Sequence, residues 1–121
     1  MAKFANDLVM DAALDYIATG NLMIVCSAQP TNRTEAVSTY ALADVALAGG
    51  DYTKANGDSS GRKTTIAQKS NVPIDTSGTA NHIATVNATD LILVTTCTPQ
   101  ALTAGGTVTI PAFKDEIADP V

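Results

Sequence analysis

Tryptophan is absent from this chain of 121 residues, and three Tyr and two Phe are its only aromatic residues. Sugar-binding sites usually stack their ligand on flat rings, so the shortage argues against a carbohydrate-binding module. Charge is scarce as well: Asp, Glu, Lys and Arg make up 16% of the chain, against roughly 25% in typical soluble domains. What charge there is runs acidic, with a formal net charge of −5 and a pI near 4.4. A chain of this sign offers no basic field to phosphates, so direct contact with DNA or RNA is not expected. Long hydrophobic runs are missing too. None approaches the ~20 residues that span a bilayer, and no membrane association is expected. Asp7, Asp11 and Asp15 also interrupt the stretch where a secretory signal would need an unbroken apolar segment.

Residues able to do chemistry are nearly as sparse. His82 is the single histidine, and with Cys26 and Cys97 it does not make a zinc site. Each cysteine lies in or at the end of an apolar, strand-like run, so two buried, reduced thiols are expected. A disulfide stays open should the two strands be neighbours. Gly57-Asp58-Ser59-Ser60-Gly61-Arg62-Lys63-Thr64 looks like a phosphate loop but fails on mechanism: three residues separate the glycines instead of four, and Arg62 displaces the lysine. Gly57-Asp58-Ser59 looks like a nucleophile motif, yet His82 has no evident carboxylate to orient it as the base. A calcium loop built on Gly57 would put Tyr52 and Lys54 where oxygen ligands are needed. Asn32-Arg33-Thr34 and Asn87-Ala88-Thr89 match the glycosylation pattern, which means nothing without a secretory route. Neither catalysis nor a cofactor or metal is expected.

What is present is a succession of short strand signals. Thr107 to Ile110 alternate polar and apolar at the period that puts one set of side chains on each sheet face. Leu22 to Cys26 and Leu91 to Val94 are continuous apolar runs, which predicts central strands covered on both faces, with Ile24, Val25, Leu91 and Leu93 in the core. Turn signals fall at Asn56 to Gly61, at Ser77 and Gly78, at Asn87 to Asp90, and at Gly105 and Gly106. Twenty Ala and seventeen Thr supply small side chains that pack closely and expose little charge. The predicted fold is mainly β (α+β), an antiparallel β-sandwich or meander with an N-terminal α-helix, in one domain over residues 1–121.

That helix is predicted over about residues 3–18, with Asn6 or Lys3 near its start and Gly20 placed to stop it. Asp7, Asp11 and Asp15 form one ridge, a solvated face or an acidic contact strip, while Leu8, Val9, Ala12, Ala13, Tyr16 and Ile17 make a broad apolar face expected to pack on the core. Asn32 with Glu35 resembles a capping box before Ala36 to Leu42 and predicts a second short helix or helical turn there. The polar, Gly-rich segment Gly49 to Gly61 reads as an exposed, mobile loop.

Several stretches carry a resemblance to small virion structural proteins of tailed bacteriophages, of the capsid decoration or cement kind: Cys26-Ser27-Ala28-Gln29-Pro30, Leu42-Ala43-Asp44-Val45-Ala46-Leu47, Gly57 to Lys63, Val94-Thr95-Thr96-Cys97-Thr98, and Gly106 to Phe113 followed by Glu116 to Pro120. These are turns and strand ends, so they point to a fold family more than to a place in the particle. The resemblance implies a non-enzymatic protein made in the host cytoplasm and carried in the virion. Its partners would be the major capsid protein or other virion proteins, with the chain itself a homo-oligomer. A neck, collar or tail position is the alternative, and a β-sandwich module for a host-surface ligand is a further one. The expected contact elements are the loop carrying Lys54, Asn56, Asp58 and Arg62, and the two termini, with Lys3 and Phe4 at the first.

Overall fold

The computed structural model describes residues 4–120 of the chain, and the fold is mainly β with antiparallel sheets and one N-terminal helix. The elements run α1 (Asp7–Ile17), β1 (Leu22–Cys26), a π-helical turn (Glu35–Thr39), β2 (Ala41–Ala46), a 3-10 turn (Gly49–Asp51), β3 (Tyr52–Asn56), β4 (Arg62–Ile66), β5 (Lys69–Pro73), β6 (Gly78–Val86), β7 (Leu91–Leu102), β8 (Thr107–Ile110) and β9 (Phe113–Ile117).

Three sheets form, in the orders β2-β1-β6-β7, β3-β4-β9 and β5-β8. β1 sits inside the first sheet, and its unbroken apolar run is used on both faces. Met23 and Val25 enter the main core with Leu42, Ile66, Val72, Ile83, Leu102 and Ile110. Ile24 and Cys26 point the other way, into a smaller cluster with Ala36, Ala84 and Val86, against which Val37 and Tyr40 also pack. Tyr52, Ile66 and Phe113 bring all three strands of the second sheet against the main core, which gives the molecule its sandwich-like packing. The β5-β8 pair is tied to the β2 edge by an Ala43–Ile74 bridge and by the Asp75 and Thr76 amides, which donate to the Leu42 carbonyl.

Four expectations change. Leu91 to Val94 belongs to an edge strand, because among the described residues β7 pairs only with β6; Leu91 and Leu93 are half-buried, whereas Ile24 and Val25 are buried as expected. Residues 49–61 do not form a mobile loop. Tyr52 to Asn56 pair in register with Arg62 to Ile66, and the connecting turn closes with the Gly57 amide donating to the Gly61 carbonyl. Gly61 takes φ +70, and a Cβ there would collide with the Ile117 backbone, so this glycine is required by both conformation and space.

The expected helical turn forms but ends before Leu42. Asn32 does accept from the Glu35 amide at 2.9 Å, but the Glu35 carboxylate turns to the Thr31 amide and hydroxyl, at 2.8 and 2.6 Å, instead of closing the box. The helical turn stops at Thr39, and Ala41–Ala46 becomes β2. The long helix is also trimmed, to Asp7–Ile17. Asn6 caps it, accepting the Leu8 amide at 2.8 Å. Lys3 lies outside the described residues. Gly20 serves close approach: its carbonyl accepts the Tyr52 hydroxyl at 2.8 Å, and a Cβ there would stand 2.6 Å from that oxygen.

Candidate interaction surface

The β3–β4 hairpin brings Lys54, Asn56 and Arg62 onto one face. Strand alternation puts them on the same side as Tyr52 and Ile66, facing inward, and α1 lies across that side. The Arg62 guanidinium donates to Asp11 at 2.9 Å and to Asn56 at 3.0 Å, and the Lys54 ammonium donates to Asp15 at 2.6 Å. The hydrogen bond from Arg62 holds the Asp11 carboxyl below the usual carboxylate range against an opposing desolvation effect. Accepting from it, Asp15 likewise raises the Lys54 ammonium above its ordinary value. Two members of the acidic ridge are therefore bound to this chain's own cations. The Lys54–Asp15 pair is exposed and contributes modestly to stability, the Arg62–Asp11 pair is more enclosed, and together they fix where α1 sits.

Asp58 is not part of that cluster. It lies in the hairpin turn, where Lys63 donates to it at 2.6 Å and Lys114 also pairs with it; its amide donates to Glu116. Lys63, Lys114 and Glu116 all alternate to the outer side of the β3-β4-β9 sheet. The hairpin thus holds the helix with one face and a charged network with the other.

At the far end of α1, the Tyr16 hydroxyl donates to Asp90 at 2.6 Å and the Asn87 amide donates to Thr19 at 3.1 Å. These contacts pin the helix end to the β6–β7 turn, itself closed by the Asn87 side chain accepting the Thr89 and Asp90 amides. An 11-residue helix is marginal alone, so α1 owes its place to these pins and to its buried Met10, Leu14 and Ile17.

The side of α1 turned to solvent is apolar. Phe4 is 76% exposed, Leu8 76%, Val9 66% and Tyr16 49%, with Ala12 and Ala13 exposed between them. All of the large exposed hydrophobics among the described residues stand on this one element and the short segment leading into it. The sequence had assigned Leu8, Val9, Ala12, Ala13 and Tyr16 to the core; of that face only Ile17 is buried. The correction follows from the wheel itself. Met10, Leu14 and Ile17 form a narrower apolar arc next to the aspartates, and docking against Arg62 and Lys54 selects that arc because it brings Asp11 and Asp15 to their partners.

A concave feature runs between β7 and the β8–β9 connection. It is an open groove of about 550 Å³ lined by Ile83, Thr95, Thr96, Cys97, Thr98, Pro111 and Phe113, with no charged side chain. Cys26 and Cys97 are both free thiols; β6 separates their strands, and they belong to opposite faces of the first sheet. Burial pushes the Cys26 thiol up to about 11, while Cys97 is half-buried at the groove, not enclosed as expected. The His82 ring meets Asn81 at 2.7 Å, and Ser60 accepts the Asp119 amide at 3.0 Å, so the two are engaged on different elements. Among the described residues no group of His, Cys, Asp and Glu is placed to hold a metal ion, and no helix is long and apolar enough to cross a membrane. No protein family, curated protein or solved structure matches the chain.

Proposed function

We propose that this protein is a non-enzymatic virion structural component that binds the assembled phage head and stabilises it. One observation carries the reading: Asp11, Asp15, Lys54 and Arg62 are spent on internal pairing, while an uncharged apolar face is held outward on a pinned helix. Contiguous apolar surface of this kind marks sites of protein contact. The sequence resemblance to decoration and cement proteins supplies the identity of the target, the major capsid protein or a neighbouring virion protein. A protein that binds the assembled lattice and not the free subunit adds its binding free energy to the particle alone, by mass action. No chemistry is required.

Heads lacking the protein should assemble but open at lower temperature or lower osmotic stress, and purified protein added back should restore them. Copy number then places it: hundreds per particle for decoration, about a dozen for a neck ring with its symmetry-limited seats. Failure to bind mature heads, together with a requirement in joining heads to tails, would transfer the assignment to the neck or tail.

The neutral groove at Thr95–Thr98 favours a second reading, a module for an uncharged host-surface ligand. Its volume falls within the roughly 300–1,000 Å³ of small-ligand sites. Phe113 is its single ring, which is little for a sugar to stack on. Under this reading Thr98→Arg, at the exposed lip, would abolish attachment of the isolated protein to cells and leave head binding unchanged.

A further inference from the structure

The outward face of α1 has a shape and a charge distribution that suit one occupant in particular. Ala12 and Ala13 lie at its middle, Leu8 and Val9 one turn before them, Tyr16 one turn after, and Phe4 beyond the helix start. The face itself carries no charge. Its flank carries Asp7, Asp11 and Asp15, of which Asp11 and Asp15 are already neutralised by Arg62 and Lys54.

From this we infer that α1 packs antiparallel against α1 of a second copy of the chain. In a two-fold pair the same patch meets itself, so its large and small positions must complement one another. They do: with the alanines of the two copies together at the axis, Leu8 and Val9 of each helix fall against Tyr16 of the other, twice over. Small residues at the crossing allow the helix axes to approach to about 8 Å. Phe4 extends the contact past each end.

The area suffices. Phe and Tyr cover roughly 150–250 Å² each when fully enclosed, so at their exposures Phe4, Leu8, Val9 and Tyr16 offer on the order of 500 Å² per copy. Two copies then remove about 1,000 Å² from water, the level at which specific interfaces separate from incidental contacts.

Charge does not oppose the same occupant. A two-fold pair sets each acidic flank beside its counterpart, and three unpaired carboxylates per copy would repel; the two internal ion pairs leave only Asp7 of each. Those pairs also leave little to recruit a basic partner. An anionic lipid surface asks for Lys and Arg beside the apolar stripe, and α1 has neither.

This pairing and the head-binding reading draw on the same outward face of α1, so the pairing is measured on the isolated full chain, without heads, where its failure is distinguishable from a failure to bind them. Sedimentation equilibrium across a concentration series should give the mass of a dimer. Leu8→Glu, at a position already exposed to solvent, should raise the dissociation constant by roughly 30-fold or more and leave circular dichroism and the melting temperature unchanged. In a Cys97→Ser background, Ala12→Cys should cross-link into a dimer under mild oxidation while Gly50→Cys, which has open space around it, should not. The inference is overturned by a chain monomeric at every concentration, by a dimer that Leu8→Glu does not weaken, or by a monomer whose binding to anionic vesicles is what Leu8→Glu abolishes.

Discussion

Leu22–Cys26 in β1 and Leu91–Val94 in β7 are apolar runs of nearly the same composition, and they end in different surroundings. The row of cross-strand neighbours Val45, Met23, Thr85 and Leu93 shows why. Its two inner members, Met23 on β1 and Thr85 on β6, are 0% exposed; its outer members, on the edge strands β2 and β7, are half-buried. The parallel row on the opposite face, Asp44, Ile24, Ala84 and Val94, repeats the pattern, with Ile24 and Ala84 buried, Val94 half-buried and Asp44 exposed. A strand with a neighbour on each side is sealed by their side chains as well as by the layers above and below. The lesson is that composition sets how much burial a run can use, and position in the sheet sets how much it receives.

Truncations across these rows test that difference, beginning with the largest effect. Ile24→Ala should lower stability by about 2–5 kcal/mol in a denaturant titration, since the smaller core has little room to collapse around the lost methyl and methylene groups. Leu93→Ala, at the edge, should cost on the order of 1 kcal/mol, because part of that side chain is already in water. Equal losses at the two positions would break the comparison.

Thr85 sharpens it from the other direction. Its hydroxyl is fully buried and has no hydrogen-bond partner among the described residues, a cost that an edge position would relieve with water. Thr85→Val keeps the shape and removes the unmet group, so unfolding should become harder by about 1 kcal/mol. A loss of stability in that variant would mean that the hydroxyl is satisfied.

The smallest effects are electrostatic. Asp11 titrates lower in the folded chain than in the unfolded one, so its contribution is complete above the ordinary carboxylate range and disappears as pH falls through the lowered value. Melting temperature followed against pH should show a shallower acid limb in Asp11→Asn than in the parent. Asp115, on the inward side of β9, is shifted the opposite way: desolvation raises its pKa, so the charged form opposes folding at neutral pH. Asp115→Asn should therefore raise the neutral-pH melting temperature slightly, with the gain vanishing in acid. An unchanged acid limb in the first variant would show that Asp11 and Arg62 are not paired in solution.

Much of the fold was legible in local pattern. The uninterrupted Leu22–Cys26 run, the alternation of Thr107 to Ile110, the cap at Asn6 and the turns at Asn87–Asp90 and Gly105–Gly106 each act through the backbone of a few adjacent residues. The interaction surface was less legible. Lys54, Asn56 and Arg62 were singled out as a polar, Gly-rich loop, but polarity alone does not separate a loop from an exposed hairpin whose polar side chains hold a helix. Leu8, Val9 and Tyr16 were assigned to the core because an apolar helix face is ordinarily the buried one, and α1 has two such arcs.

The amino-acid sequence by itself determined a mainly β chain with an N-terminal helix and most of its turn positions, since these depend on the steric and hydrogen-bonding preferences of near neighbours. Only the tertiary structure decided which apolar runs became central, which arc of α1 was covered and where the aspartates found their cations. Those outcomes depend on residues far apart in the chain, such as Asp11 and Arg62, whose meeting no local pattern encodes.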